Sequence, residues 1–412
     1  MNFNLNKIRQ HFEQNSLTDV RGEAQNELKK LERSIKPGAN IALAVGSRGI
    51  DNLVLIVKEV VEFLKRHGAH PFIIPAMGSH GGAVAHGQIE VLSSYGITEE
   101  AIGVPVHASM DVVEVPCPGY KDLAYMDKFA FESDGVILIN RIKPHTDYHA
   151  EYESGLVKMM VIGMGKEMGA SAIHRHGVYG LSELLKIAAK QIIATGKIIG
   201  GVALVENAYD QTMLVEVLKG EDILEKEPPL LKTSVDNMPT FPVKNFDVLI
   251  IDQMGKNISG VCIDTNIIGR MMIRGQAEPD FPDIKSIVVL DLTEESHGNA
   301  LGVGLADIIT RKLFNKIDFD VTYKNVYTAS FLARAKIPII ADNGNIAMDF
   351  ALRSCGVIVP GEERIIRIKD TLHLDEMYVS DAILAEIKEL PGLEILDKAC
   401  DQLNSESEFN QF

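Results

Sequence analysis

The feature that most constrains this chain is a rhythm of short apolar runs alternating with amphipathic runs of helical period. Residues 41–45 (IALAV) read as a buried strand, and residues 51–65 (DNLVLIVKEVVEFLK) as a helix with Asp51 as N-cap. Residues 71–76 (PFIIPA) predict a second strand, 87–95 a second helix, 135–140 (GVILIN) a further strand, and 177–195 a long helix ending before Gly196. Apolar strands separated by helices predict parallel βαβ units with helices on both sheet faces. The first 35 residues predict a helical lead-in, and 200–219 a hairpin. From 220 to 243 the pattern breaks at Pro228, Pro229, Pro239 and Pro242, which predicts a linker. The rhythm then restarts with strands at 246–252 (FDVLIID), 286–292 (SIVVLDL) and 337–342 (IPIIAD), and helices around 303–313 and 345–354. The expected architecture is α/β: two α/β lobes with mainly parallel sheets and a cleft between them, residues 1–238 forming one and 239–412 the other.

Charge and composition narrow the function classes. Lys and Arg number 41 against 57 Asp and Glu, a formal charge of −16. That balance carries no electrostatic footprint for nucleic acid. Aromatic residues make up 6% and tryptophan is absent, which disfavours a base-stacking platform. No apolar run reaches 18 residues, so no membrane span is expected. The start, MNFNLNKIRQHFEQ, lacks the apolar core of a signal peptide. Cys117, Cys262, Cys355 and Cys400 stand far apart and read as reduced thiols of a cytoplasmic protein.

In α/β sheets function collects past the C-terminal ends of strands. Four such ends carry unusual side chains: GSRGID with Arg48, MGSHGG with His80, RIKPHTDYH with His145 and His149, and QMGKNISG with Gln253 and Lys256. Lys158 lies inside an apolar run, LVKMMVI. It reads either as a snorkelling side chain or as a desolvated amine suited to covalent attachment. His174, within HRH, reads as part of a solvated turn or as a neutral metal ligand. The spacings contain neither CxxC nor HExxH, so a metal there needs donors that the protein does not supply. VIGMGKEMGA has GxGxxxG spacing, which fits neither a dinucleotide fingerprint nor a P-loop.

Taken in order, these motifs resemble the nickel-dependent lactate racemases and related hydroxyacid racemases and epimerases, over about residues 41–260. GSRGID resembles that family's arginine loop, MGSHGG the loop bearing one catalytic histidine, and KPHTDYHAEYESGLVK the segment from a Pro-His pair to the cofactor lysine. The resemblance implies His80 and His145 as catalytic bases, Lys158 as the cofactor lysine and His174 as the nickel-binding histidine. It also implies Arg48 as a ligand of cofactor or substrate, and Gln253 and Lys256 as substrate-binding. The implied cofactor is nickel in a pyridinium thioamide/thiocarboxylate mononucleotide, the nickel pincer, bound covalently to Lys158. The implied partners are a small hydroxyacid and the cofactor-synthesising enzymes, with no nucleic acid and no membrane.

The chain departs from the family at three points. Val-Gly-Ser-Arg stands where the family has Asp-x-Thr-Arg, the span from His145 to Lys158 is about three residues longer, and Gly155-Leu156 replaces a double glycine. The longer span makes His149 a rival for the second base. The altered arginine loop, with polar loops at 296–299 (SHGN) and 342–345 (DNGN) that read first as turns, points to an acid other than lactate. The competing readings are a non-catalytic binding relative of the same fold and an NAD- or zinc-dependent enzyme built on the same histidines.

Overall fold

A computed structural model describes residues 5–47, 49–329 and 331–398. Its strands are β1 (Leu5–Gln10), β2 (Asn40–Val45), β3 (His70–Pro75), β4 (Val112–Cys117), β5 (Tyr120–Asp127), β6 (Gly135–Arg141), β7 (Ile198–Glu206), β8 (Thr212–Lys219), β9 (Asn245–Met254), β10 (Asp283–Leu292), β11 (Ile308–Thr310), β12 (Ile339–Ala341), β13 (Ile365–Ile368), β14 (Glu376–Ser380) and β15 (Leu393–Lys398). Contacts divide the chain into two compact units. One is Glu13–Met238; the other is Pro239–Phe412 and takes in Met1–Phe12.

Glu13–Met238 is built on a five-stranded sheet of order β3-β2-β6-β7-β8. Every pair is parallel except the β7–β8 hairpin. Alternate residues of the central strands feed two cores. Ile41, Leu43 and Val45 pack with the inner face of the helix Leu53–Arg66, while Ala42 and Ala44 pack with Leu156, Met160, Leu185 and Ile192. Both faces are therefore covered, which explains why these strands read as unbroken apolar runs. The chain leaves β2 for β3 on one side and returns to β6 on the other. The loops after β2, β3 and β6 thus surround the point where strand order reverses, the usual place for a ligand in such sheets.

Pro239–Phe412 with Met1–Phe12 forms an eight-stranded sheet of order β12-β11-β10-β9-β13-β14-β1-β15. It is parallel from β12 to β13 and antiparallel beyond. The fully buried Arg367 of β13 donates to both carboxylate oxygens of Asp252 in β9, at 2.7 and 2.8 Å.

Four local expectations are corrected. The lead-in begins with strand β1, whose Lys7 pairs with Glu376 at 2.8 Å; its partners β14 and β15 lie more than 360 residues away, out of reach of local propensity. The stretch around 303–313 contains β11, three residues too short to show a period, and Thr310 Oγ1 caps the helix Arg311–Lys316 through Leu313 N–H at 3.1 Å. Asp51 is not an N-cap. Its Oδ2 instead accepts from Thr212 N–H at 2.8 Å, and the helix opens at Leu53 after Asn52.

The fourth correction matters most for function. The proline-rich stretch is the helix Ile223–Asp236, with Pro228 and Pro229 inside it. Pro228 has no N–H for the Leu224 carbonyl one turn earlier. The Tyr152 hydroxyl donates to that carbonyl instead, at 2.6 Å. The preceding residue, Glu227, is buried, and its Oε2 accepts from Val157 N–H at 2.9 Å. A Cβ at Gly155 would collide with Glu227 Oε1, so this close approach requires glycine.

Burial pushes the Glu227 carboxyl up to about 8, outweighing the Val157 and Leu156 N–H groups that favour its anion. The folded state therefore keeps a proton that the unfolded chain releases near 4.5. Stability from this group is fully present below that value and is lost as pH rises through about 8, on the order of 5 kcal/mol in all. Glu227→Gln is neutral throughout and removes this slope. Urea denaturation at pH 5 and pH 8.5 should show the variant gaining several kcal/mol on the wild type at the higher pH. A difference independent of pH contradicts the assignment.

Candidate active site

The loop after β2 meets the loop after β3 through a side-chain contact: Ser47 Oγ hydrogen-bonds with His80 Nδ1. The Tyr95 hydroxyl donates to the Ser47 carbonyl at 3.3 Å. His80 itself is exposed. The chain turns back just after it through Gly81, at φ 66°, a conformation that favours glycine. Arg48 lies outside the described residues. Three residues past it, the loop is pinned by Asp51 N–H, which donates to Glu206 Oε1 at 2.8 Å; Glu206 also pairs with Arg141 at the end of β6.

The loop after β6 is organised by Glu153, a buried carboxylate. It accepts from His145 N–H at 2.5 Å and Ala150 N–H at 3.2 Å, and lies 3.2 Å from His149 Nδ1. His149 is thereby turned onto Glu153 and stays exposed. His145 points elsewhere, with Nε2 against Lys158 Nζ. Its other nitrogen, Nδ1, accepts from Asp147 N–H at 3.0 Å. In a neutral ring this places the proton on Nε2. Nε2–H then donates to Lys158 Nζ whenever that amine is unprotonated and offers its lone pair. The Tyr148 ring supports His145 at a centroid distance of 4.7 Å, and burial pushes its phenol well above the usual range.

Lys158 ends the short helical turn Leu156–Lys158 and is followed by a π-turn, Met159–Gly163. Such turns often mark functional positions. The backbone ahead of the lysine is held twice, by Asn140 Nδ2 donating to the Gly155 carbonyl at 2.9 Å and by Glu227. The next helix, Lys166–His174, ends at His174. Burial first, and then the charge of Lys158, lowers this imidazole to about 4, with Asp147 opposing. His174 is thus neutral at physiological pH, the form that binds a metal. The glycines of VIGMGKEMGA lie in this helical region, and the Gly163 carbonyl accepts from Gly78 N–H at 3.0 Å. Gly163 packs against the loop before His80, and the segment follows the helical turn Leu156–Lys158 and not directly a strand, as a dinucleotide fingerprint requires.

The structure therefore brings together Ser47 with His80, and His145 with Lys158, Asp147 and His174. Gln253 and Lys256 belong to the other unit. Gln253 N–H donates to the Lys369 carbonyl at 2.9 Å. Lys256 N–H donates to Ser296 Oγ at 2.9 Å, and Lys256 Nζ donates to the Gly260 carbonyl at 2.6 Å. Within SHGN, Ser296 is buried on that contact and His297 sits at φ 47°, as a turn requires. Among the described residues, no three His, Cys, Asp or Glu side chains are placed to hold a metal ion, and no helix is long and apolar enough to cross a membrane. Cys117 and Cys262 are buried free thiols, Cys355 is half-buried and free, and Cys400 lies outside the described residues.

Sequence reasoning missed Ser47, Asp147, Glu153 and Glu227. Ser47 adjoins Arg48, and Asp147 and Glu153 lie within four residues of histidines already singled out, a signal available in the sequence. Glu227 had none, because its partner backbone lies 70 residues earlier.

No family model and no curated protein matches the chain. Among solved structures, the lactate racemase apoprotein from Thermoanaerobacterium thermosaccharolyticum is similar, with a TM-score of 0.51 and 15% sequence identity over 90% of this chain and 99% of that one. At this identity the likeness establishes a shared α/β fold, that of a racemase, over nearly the whole of both chains.

Proposed function

We propose that the protein is a racemase or epimerase that inverts the hydroxyl-bearing carbon of a 2-hydroxyacid, with a nickel pincer nucleotide tethered to Lys158. The observation that carries this reading is the contact of Lys158 Nζ with His145 Nε2, beside the neutral ring of His174. Attachment of an acyl group needs an amine lone pair, and the tautomer of His145 provides for one. His174 offers a single nitrogen donor. A nickel whose other donors came from the nucleotide itself would be held by the protein through that nitrogen.

Bound there, the group would supply hydride acceptance and return at the substrate carbon, so no diffusible NAD is needed. The chain's own residues do the rest. With Nδ1–H donating to Ser47 Oγ, His80 presents its Nε2 lone pair to the hydroxyl proton of one enantiomer. His145 serves the other enantiomer: once Lys158 is acylated Nε2 is released from the amine, and the tautomer protonated at Nδ1 leaves an Nε2 lone pair for the hydroxyl proton. When that ring is protonated, the Asp147 carboxylate, with Oδ2 at 3.8 Å from Nδ1, stabilises it. Arg48 and Lys256 are assigned to anionic groups of substrate or cofactor, and Gln253 to the substrate.

Mass spectrometry of protein co-expressed with cofactor-making enzymes tests the reading. The wild type should carry a covalent adduct on Lys158 and bound nickel. Lys158→Ala should carry neither. An unmodified wild-type Lys158 under these conditions refutes the proposal and leaves a binding relative or an NAD- or zinc-dependent enzyme.

His80→Ala and His145→Ala should keep nickel and lose racemisation by about 100-fold to 10,000-fold, the range of a general base. Near-wild-type racemisation in His145→Ala, with loss in His149→Ala, reverses the assignment. We also propose a substrate larger or more polar than lactate. A panel of enantiopure 2-hydroxyacids and sugar acids, followed by chiral chromatography, should show faster turnover of such an acid. Lactate turned over well above every larger acid overturns this part.

A further inference from the structure

The loop that carries His80 has little to hold it from within. Gly78, Gly81, Gly82 and Ala83 all adopt left-handed backbone, at φ 60°, 66°, 70° and 56°. Its own backbone bonds include His80 N–H to the Met77 carbonyl at 3.1 Å and Ala83 N–H to the Ser79 carbonyl at 3.0 Å. A glycine-rich segment of this kind has many conformations of similar energy unless its surroundings choose one.

Gln88, in the helix Ala85–Ser94, chooses from beneath. Its side chain is fully buried, and its Nε2 donates to the Gly78 carbonyl at 2.8 Å and to the His80 carbonyl at 3.3 Å. An amide can make those two bonds only if its nitrogen faces the loop. The other end decides this: Oε1 accepts from Lys166 Nζ at 3.2 Å. A flipped amide would turn its N–H₂ toward the ammonium, donor against donor, and its oxygen toward two carbonyls, acceptor against acceptor.

Lys166 is itself held in place. It is fully buried, its Nζ lies 3.0 Å from Oδ2 of the equally buried Asp127, and it donates to the carbonyl of Pro75, the last residue of β3. Burial lowers the Lys166 amine and the Asp127 charge opposes that, while three acceptors around Nζ, from Pro75, Gln88 and Asp127, suit an ammonium. Asp127 Oδ1 caps the helix Lys128–Glu132 through Ala130 N–H at 3.1 Å. Lys166 keeps this position although its backbone, at φ 54°, lies in the region a lysine ordinarily avoids. Such a residue persists only where its surroundings over-determine it.

The geometry points to Lys166 as a positioning residue. By fixing which way the Gln88 amide faces, it sets the backbone of loop 76–83 and the direction from which His80 works. The chain of contacts runs from Asp127 through Lys166 and Gln88 to the carbonyls of Gly78 and His80. It accounts for the lysine of VIGMGKEMGA without a nucleotide. The catalytic consequence rests on the reading of His80 as a base; the positioning itself rests on the contacts alone.

Two variants of the full chain test it. Gln88→Leu removes the loop's donor. The double variant Lys166→Met/Asp127→Asn removes both charges together, so that no buried carboxylate is orphaned, and frees the Gln88 amide to flip. Hydrogen exchange by mass spectrometry on peptides covering 76–88 should be at least tenfold faster in both, with peptides of β2 and β6 unchanged. In cofactor-loaded protein both should lose tenfold or more in kcat at unchanged KM, adduct mass and nickel content. Wild-type exchange of the loop in both variants overturns the inference. So does loss of protection throughout Glu13–Met238 in both, the mark of a pair that merely supports the core. Faster exchange in Gln88→Leu alone removes Lys166 from the chain of contacts. Faster loop exchange in both variants, with no hydroxyacid turned over by loaded wild type, would sustain the positioning role and refute the functional reading.

Discussion

The contact on which the site depends is that between Lys158 Nζ and His145 Nε2. A lysine half-buried among methionines and valines has two ways to avoid a costly desolvated charge: it pairs with an anion, or it stays neutral and accepts a hydrogen bond. We propose that Lys158 takes the second course. Asp147 N–H occupies Nδ1 of His145 and so sends the imidazole proton to Nε2, toward the amine. The surroundings then serve to keep two backbones in register. Glu153 holds the loop of His145, while Asn140 and Glu227 hold the turn that projects Lys158.

Three buried polar groups of Glu13–Met238 stand behind the backbone of the candidate residues. Glu227 is an acid kept protonated by its surroundings, and Lys166 and Asp127 form a charged pair with no solvent exposure. Each would lower stability if orphaned, and each bonds to backbone that leads to a candidate functional residue. The scaffold beneath is a sheet apolar on both faces, whose strand order reverses where these loops emerge. Rigid strands and a polar understructure together hold glycine-rich loops in one shape.

The parallel strands were legible because each is buried on both faces and reads as an unbroken apolar run, as in IALAV and GVILIN. Strand ends then pointed to His80, His145 and Lys158. Two kinds of information were not legible. The first is pairing across long separations: β1 looks helical until β14 and β15 flank it. The second is a side chain's use of a distant backbone. Pro228 and Pro229 read as linker residues, yet the carbonyl that Pro228 leaves open receives the Tyr152 hydroxyl, and Glu227 beside them braces Val157. Lys166, read as part of a poor nucleotide motif, is a buried cation. No local pattern distinguishes such a lysine from a solvated one, because its partners Asp127 and Gln88 lie 39 and 78 residues earlier.

The central claim, a neutral Lys158 amine maintained by His145, is tested most directly by competitive acylation of the unloaded chain. A limiting amount of a small activated ester is added across pH 6 to pH 9, and each lysine is quantified by peptide mass spectrometry. The account predicts that Lys158 is labelled at neutral pH at least tenfold faster than exposed lysines such as Lys232 and Lys312, and that His145→Ala abolishes the advantage with the fold intact. Labelling of Lys158 no faster than the exposed lysines at pH 7, or an advantage that survives His145→Ala, would contradict it.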